Sequence, residues 1–360
     1  MTSTALQEFK ELAQLAQIAT RGMGQFLHHG EGNAECWRAF LDLHCRTNGR
    51  STQMLRGIMR VLKPPPVRIR PFESMLGKFD AASVNAITER IRRDGYYLFE
   101  QRVPDDVCDD IAGAARAIEG RVGRNPEEPL RMAAFDPANP IANVYDIPEP
   151  TIWQIPGYQR LIADPIFLNV SQSYFCAASA LKQVNLWWSA AVGGKPDTHA
   201  AQLFHFDFDA APIWLKFFFY LTDVTPQTGP HVFVKGSHRL HQPKARELLS
   251  RGYVRIRDED IAQVYGLDNI LEFCGPKGTV LAVDTIGFHK GKMPTAGYRL
   301  LAQLEYATPL FVPSVSAPLP MPSNVDRSLL STYKTYPWAF TRFAPRGLAE
   351  TPAMGTVITG

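Results

Sequence analysis

Two short segments of the chain carry residue types that together can bind a metal ion. In the first, residues 202–209, a histidine and an aspartate stand two positions apart as His205 and Asp207. If this segment is a strand, both side chains lie on one face, roughly 7 Å apart along the backbone. Asp209 offers an alternative carboxylate on the same face. Taken alone, a histidine and an aspartate at this spacing are more often a hydrogen-bonded pair at a strand end than metal ligands.

The second segment supplies the ligand that the first lacks. Residues 280–289 form a mostly apolar run that ends at His289, and Arg299 opens the next predicted strand ten positions later. Two histidines and one carboxylate occupy one face of an octahedral ion, so Fe(II) held by His205, Asp207 and His289 can also take a bidentate 2-oxo acid and O2. The planar guanidinium of Arg299 matches the distal carboxylate of that acid. A structural salt bridge is the alternative for this arginine.

In order and spacing these segments resemble the phytanoyl-CoA dioxygenase family. The resemblance covers about residues 85–310, including the strand that begins at Ile213 and the turn at residues 229–239. It implies a double-stranded β-helix, Fe(II), 2-oxoglutarate and O2, with the three catalytic ligands and Arg299 at the positions named. Where the family often has Ser or Thr, two residues after the distal histidine, this chain has Gly291. The second anchor of 2-oxoglutarate is therefore left open.

Further candidates for the cosubstrate pocket follow from the resemblance. It implies that Gln202, Asn185 and Trp214 line this pocket, with a core or sheet-edge role as the alternative for each. Lys216 shares the strand face of Trp214, and we expect its ammonium to reach solvent rather than a carboxylate. Glu305 shares the strand face of Arg299 and either meets substrate or forms an ion pair.

The aspartate at position 207 bears on the type of reaction. Related halogenases have a small residue there, so Asp207 favours hydroxylation, or another oxidation such as desaturation, over halogenation. We expect hydroxylation of an unactivated C–H bond of a small-molecule metabolite, with release of succinate and CO2. The same centre can also serve desaturation, epoxidation or ring formation, which the mass of the product distinguishes. A non-catalytic ligand-binding β-barrel protein is the alternative from another class, and 2-oxoglutarate turnover with Fe(II) separates it from an oxygenase.

The elements that must position these residues are mostly short strands. Turn residues divide residues 183–307 into six candidate strands, 183–190, 200–208, 213–222, 231–234, 278–285 and 299–307. Short strands without intervening helices predict a mainly β fold with helical additions and a double-stranded β-helix core of the jelly-roll, cupin-like kind. Apolar periodicity upstream predicts helices near residues 4–27, 35–45, 52–62, 82–93 and 103–118, with a strand at 96–99.

These elements divide the chain into three regions. Residues 1–75 form a helical N-terminal extension, residues 76–312 a double-stranded β-helix oxygenase core with flanking helices, and residues 313–360 a C-terminal strap packed on the core. Three prolines at 64–66 make a short connector that holds the extension close to the core. We expect the extension to shape the substrate entrance, with a buttress or a homodimer contact as the alternative.

Composition excludes several classes of protein. Hydrophobic residues make up 45% of the chain and charged residues 20%, as in ordinary globular proteins. A net charge of +3 spread without a basic run argues against a nucleic-acid partner. Five scattered cysteines, a charged N-terminal stretch and the lack of a long apolar run predict a cytoplasmic protein that does not enter a membrane.

Overall fold

The structure is a computed structural model of the 360-residue chain. It describes residues 3–29, 34–66, 68–125, 127–193, 199, 201–208, 213–308, 319, 322 and 324–343. The helices in this part of the chain are α1 Ser3–His29, α2 Ala34–Arg46, α3 Arg50–Leu62, α4 Ala81–Asp94, α5 Asp105–Ala117, α6 Glu149–Ile152, α7 Pro156–Ala163, α8 Pro165–Phe175, α9 Pro243–Leu249, α10 Asp258–Tyr265 and α11 Arg327–Thr335. The strands are β1 Phe72–Ser74, β2 Gly77–Phe79, β3 Tyr96–Leu98, β4 Gly120–Val122, β5 Met132–Ala133, β6 Val144–Asp146, β7 Ala180–Ala190, β8 Trp214–Tyr220, β9 His231–Val234, β10 Ile270–Phe273, β11 Val280–Val283, β12 His289–Gly291 and β13 Tyr298–Ala307.

Two antiparallel sheets form the centre of the fold. The larger has eight strands in the order β3-β11-β8-β13-β7-β6-β4-β5, and the smaller has three in the order β10-β9-β12. Apolar side chains from both sheets meet in one cluster, which contains Phe218, Tyr220, Val224, Phe233, Phe273, Leu281, Val283 and Leu301. This double antiparallel sheet confirms the predicted double-stranded β-helix core.

Apart from Lys216, strand β8 consists of apolar and aromatic residues because both of its faces are buried. Phe218 and Tyr220 face the smaller sheet, whereas Phe217 and Phe219 face the helices on the other side. The ring of Phe167 on α8 lies 5.0 Å from that of Phe217 and 5.1 Å from that of Phe219, between ring centroids. Alternate side chains of β8 therefore pack into two hydrophobic layers, one between the two sheets and one between the larger sheet and the helices.

Local sequence patterns predicted some elements and not others. The helices α1 to α5 and the strand β3 lie where apolar periodicity placed them. The predicted strand at residues 200–208 is wrong: Phe204 and His205 form only single antiparallel bridges, to Ile256 and His289. Helices α6 to α10 were not predicted, and α7 and α8 carry large apolar residues that cover the eight-stranded sheet.

The N-terminal helices pack against the segment that carries the first histidine. Leu41 and Cys45 of α2 belong to the same apolar cluster as Phe204 and Phe206. The indole Nε1 of Trp37 donates to the backbone oxygen of Phe208 at 3.3 Å. The helical extension therefore contacts the back of the predicted metal-binding segment.

The C-terminal residues that the structure describes pack against strand β7 and helix α7. Leu329 and Phe340 are buried in the main apolar cluster, and the Arg342 guanidinium contacts the Glu149 carboxylate and donates to the backbone oxygen of Lys182 at 2.8 Å. Among the described residues, no helix has the length and apolar character needed to cross a membrane.

Candidate metal and cosubstrate site

The structure brings His205, Asp207 and His289 together. Their candidate ligand atoms all lie within 4.8 Å of one another. Asp207 Oδ1 is 3.7 Å from His205 Nε2, and Asp207 Oδ2 is 3.5 Å from His289 Nε2. An ion bound at about 2.1 Å from each ligand would bring neighbouring ligands to about 3 Å from one another, so small side-chain movements complete such a site.

Backbone pairing places the two segments in register. His205 and His289 exchange hydrogen bonds, N to O at 3.0 Å and 2.8 Å, and the Asp207 amide donates to Thr285 O at 2.8 Å. The side chains of Phe204 and Phe206 turn the other way, into an apolar cluster. Although the segment is not a regular strand, alternation across it still directs His205 and Asp207 to one side.

The imidazoles are oriented by their own backbone. His205 Nδ1 lies 2.9 Å from Leu203 O, and His289 Nδ1 lies 2.9 Å from Gly287 O. Because a carbonyl oxygen can only accept, each Nδ1 carries the hydrogen and each Nε2 presents a lone pair. Burial is the main cause that lowers the pKa of both rings, with the Arg255 charge acting in the same direction and the Asp207 carboxylate in the opposite one. Both imidazoles are therefore neutral at pH 7 and can act as metal ligands.

The Asp207 carboxylate is held by Lys216. The Lys216 Nζ donates to Asp207 Oδ2 at 2.7 Å and lies 3.3 Å from Glu305 Oε2, while Lys182 Nζ lies 3.1 Å from the other oxygen of Glu305. The expectation that Lys216 reaches solvent is therefore wrong, because two carboxylates compete successfully with water for its ammonium. Burial by itself would raise the pKa of Asp207, but the nearby positive charge of Lys216 outweighs it and holds the pKa well below its usual range.

Arg299 lies in the same cavity with unused hydrogen-bonding capacity. The residue is 4% exposed, and its Nε and Nη1 have no hydrogen-bond partner among the described residues. Burial lowers its pKa to about 10, so the guanidinium is still charged at neutral pH. A buried cation with two unpaired N–H groups is suited to a carboxylate ligand, since leaving such donors unpaired is costly.

His231 on β9 is a cavity residue that sequence reasoning missed. Its ring stacks 5.7 Å from that of His289 and 4.7 Å from that of Phe218, and its buried Nε2 has no partner among the described residues. Burial is the main cause that lowers its pKa well below 6.5. In the β9–β12 ladder His231 stands opposite Gly291. In β9 the alternation of His231 with Phe233 indicates that both side chains lie on one face of the strand, and this pattern could have identified His231.

Gly291 leaves room for the guanidinium. A Cβ built at this position would lie 3.1 Å from Arg299 Nη2, closer than most real contacts. A serine or threonine at position 291 would therefore crowd Arg299. The glycine and the opposing His231 together define this corner of the cavity.

The weaker candidates divide into cavity residues and structural residues. Gln202 and Asn185 line a cavity of about 400 Å³ together with the residues described above. Trp214 is a correction: it is buried in a separate apolar cluster, where its Nε1 donates to Thr285 Oγ1 at 2.9 Å. Glu305 forms the ion pairs already described, and Asp209 lies outside the described residues.

The donor set fits an iron(II) ion and an acidic 2-oxo cosubstrate. Two neutral imidazoles and one carboxylate are the mixed nitrogen and oxygen ligands of the facial triad found in iron oxygenases. The unpaired N–H groups of Arg299 provide the counterpart for a carboxylate in the same cavity. The residues present therefore suit both groups.

The sequence model of the family described as phytanoyl-CoA dioxygenase (PhyH) matches residues 91–299, more than half of the chain. The match includes the three predicted ligands and reaches Arg299. Among curated proteins, none matches this sequence.

Several solved structures are similar to this chain. EctD from S. alaskensis with bound Fe is 21% identical, with 74% of this chain and 92% of that chain covered and a TM-score of 0.46. SnoK, a non-haem alpha-ketoglutarate-dependent carbocyclase from nogalamycin biosynthesis, is 16% identical, with 62% and 83% covered and a TM-score of 0.45. HygX from Streptomyces hygroscopicus with nickel and 2-oxoglutarate bound is 16% identical, with 61% and 85% covered and a TM-score of 0.41.

Proposed function

The chain belongs to the phytanoyl-CoA dioxygenase family of non-haem iron(II) and 2-oxoglutarate-dependent oxygenases, and from this premise we propose that it hydroxylates an unactivated C–H bond of a small molecule. In this proposal His205, Asp207 and His289 hold the iron, and Arg299 holds the distal carboxylate of 2-oxoglutarate. The observation that carries it is the convergence of three ligand atoms within 4.8 Å of one another, in the cavity that also contains Arg299.

The roles of the protein residues follow from their contacts. Leu203 O and Gly287 O keep the two Nε2 lone pairs directed at the metal position. Lys216 orients the carboxylate of Asp207, as outer-shell partners of metal ligands usually do. Iron held by these residues would supply the oxidising chemistry, in which 2-oxoglutarate loses CO2, one oxygen atom of O2 enters succinate and the other enters the substrate as a hydroxyl group.

We assign the second cosubstrate anchor to His231. It stands opposite Gly291, the position at which the resemblance led us to look for a hydroxyl, and its Nε2 has no partner among the described residues. Because a neutral imidazole can donate from this nitrogen, it can add one hydrogen bond to a carboxylate held by Arg299. In this proposal the His231 imidazole, on the strand that pairs with Gly291, takes the role of the hydroxyl that the family often has at that position.

Other features stay predictions from the sequence. These are the three-region division at residues 75 and 312, the absence of a nucleic-acid partner, the cytoplasmic location and the homodimer. Desaturation, epoxidation and ring formation use the same centre, and the product mass distinguishes them, since hydroxylation adds one oxygen and desaturation removes two hydrogens.

The proposal is tested by metal binding and by 2-oxoglutarate turnover. Purified protein freed of metal and reloaded with Fe(II) is expected to bind one ion per chain and to form succinate from 2-oxoglutarate. His289→Ala and Asp207→Ala are expected to lose turnover and most iron affinity while circular dichroism stays unchanged. His241→Ala is the matched control, because this histidine contacts Asn48 O rather than the triad. Full turnover by His289→Ala would show that this histidine is not a ligand.

A further inference from the structure

The cavity that contains the triad carries more positive than negative charge. Five cationic side chains line it among the described residues, against two carboxylates. The cations are Arg124, Lys216, Arg255, Lys292 and Arg299, and the carboxylates are Asp146 and Asp207. An Fe(II) ion and a doubly charged 2-oxoglutarate would cancel one another, so the surplus remains after both are bound.

Three of these cations have carboxylate partners. Arg124 Nε donates to Asp146 Oδ2 at 2.7 Å, and its guanidinium also lies 5.2 Å from the ring centroid of Trp187. Lys292 Nζ donates to Glu272 at 2.7 Å, and Lys216 pairs with Asp207 as described. Since Arg299 serves the cosubstrate in the proposed function, one cation of the cavity is left unassigned.

That cation is Arg255. Its Nη1 is buried and has no hydrogen-bond partner in the part of the chain that the structure describes, and no carboxylate there forms an ion pair with it. The neighbouring cations Arg251 and Arg257, by contrast, both pair with Asp260. A guanidinium kept partly buried without a counter-ion is costly unless a ligand supplies the missing acceptor.

The backbone directs Arg255 toward the metal position. Ile256 forms an antiparallel bridge with Phe204, its amide donating to Phe204 O at 2.8 Å, and both side chains enter the same apolar cluster. Alternation therefore places the preceding Arg255 and the following His205 on the other side, which is the cavity. The charge of Arg255 acts on both His205 and His289, which puts it within electrostatic range of the triad.

We propose that Arg255 is the binding site for an acidic group of the substrate, so that this oxygenase acts on small anions carrying a carboxylate or a phosphate. The inference rests on the proposed function, because it takes Arg299 to be occupied by 2-oxoglutarate. Apolar lining residues such as Phe218 and Leu301 give the rest of the substrate a hydrophobic wall. An acidic group held at Arg255 would fix the distance between that group and the carbon that is oxidised.

The test uses simple anions as probes, on full-length protein loaded with Ni(II) and 2-oxoglutarate. Benzoate, phenyl phosphate and the neutral benzyl alcohol are titrated by calorimetry into wild type, Arg255→Gln, Arg255→Lys and Arg257→Gln. The last is the matched control, because Arg257 is an exposed arginine of the same segment. We expect at least one of the two anions to bind the wild type and the Arg257 variant equally, at least tenfold more tightly than benzyl alcohol. Arg255→Gln should lose this preference, and Arg255→Lys should keep part of it.

The outcomes separate this inference from the proposed function. The tighter of the two anions identifies carboxylate or phosphate as the preferred group. If wild type and Arg255→Gln bind both anions equally, or if Arg255→Gln weakens 2-oxoglutarate instead, the inference is overturned. Failure of 2-oxoglutarate to bind any variant would contradict the proposed function, while the same anion titrations on the Ni(II)-loaded protein would still measure the role of Arg255.

Discussion

Replacing Arg299 by alanine should weaken 2-oxoglutarate binding far more than it affects folding. In the structure two buried N–H groups of this guanidinium, on Nε and Nη1, have no partner among the described residues. Two hydrogen bonds to a charged carboxylate contribute about 3 kcal/mol in total, even at the low end of about 1.5 kcal/mol for each. This corresponds to a loss of affinity on the order of 100-fold. Folding should change less, because the variant also removes a buried charge that has no counter-ion in the part of the chain that the structure describes.

The affinity is best measured by titrating 2-oxoglutarate into Ni(II)-loaded protein, which prevents turnover. Arg299→Lys should recover only part of the affinity, because an ammonium lacks the planar fork. His231→Leu should weaken binding by a smaller factor, about 10-fold, through the loss of one hydrogen bond from a neutral imidazole to the carboxylate. Adding guanidinium ion should partly restore binding to Arg299→Ala, since the deleted group leaves a cavity of its own shape.

An affinity within threefold of the wild type would refute the assignment of Arg299. The cosubstrate carboxylate would then have to be sought at another cation of the cavity, Arg124 or Arg255. Arg257→Ala serves as the control for general effects of losing an arginine, because its side chain is exposed and pairs with Asp260.

Three further variants test the surroundings of the site. Lys216→Met should lower iron affinity about 10- to 100-fold by releasing the Asp207 carboxylate, as measured by Fe(II) titration under anaerobic conditions. His44→Gln should reduce the loss of stability at acid pH. Burial lowers the folded-state pKa of His44 to about 3, so below about pH 6.5 protons bind the unfolded chain in preference to the folded one. This destabilises the wild type by about 2 kcal/mol at pH 5, which urea unfolding measures. Trp37→Ala should speed amide hydrogen exchange in residues 203–208 and around Tyr253, whose ring it contacts edge-on at 6.3 Å.

Each of these has a control and an outcome that would contradict it. Lys290→Met is the control for Lys216→Met, because Lys290 pairs with Asp258 instead, and unchanged or tighter iron binding by Lys216→Met would exclude the orienting role. For His44, Leu43→Ala on the same helix removes no titrating group and should leave the pH dependence as it is. Equal slopes in His44→Gln and wild type would mean that other buried histidines dominate. Unaltered amide hydrogen exchange in Trp37→Ala would show that this contact of the helical extension does not stabilise residues 203–208.

Local rules narrowed the choice of triad residues in the sequence, and the family resemblance favoured Asp207 over Asp209. Alternation along a short extended segment puts His205 and Asp207 on one side whether or not the segment is a regular strand. His289 follows an apolar run that becomes β11, and Arg299 lies near the start of β13. Many short strands without intervening helices, together with the family resemblance, predicted the two-sheet core.

The tertiary structure alone decided the partners of these residues. Lys216 was expected in solvent, and only the packing of β8 beside β13 places it between Asp207 and Glu305. His231 faces Gly291, and Arg255 lies beside the triad segment, through pairings between chain segments about 50 to 60 positions apart. Propensity and periodicity depend on neighbours within a few residues. The contacts of these three side chains depend instead on the register between distant segments, which is set by packing of the whole core.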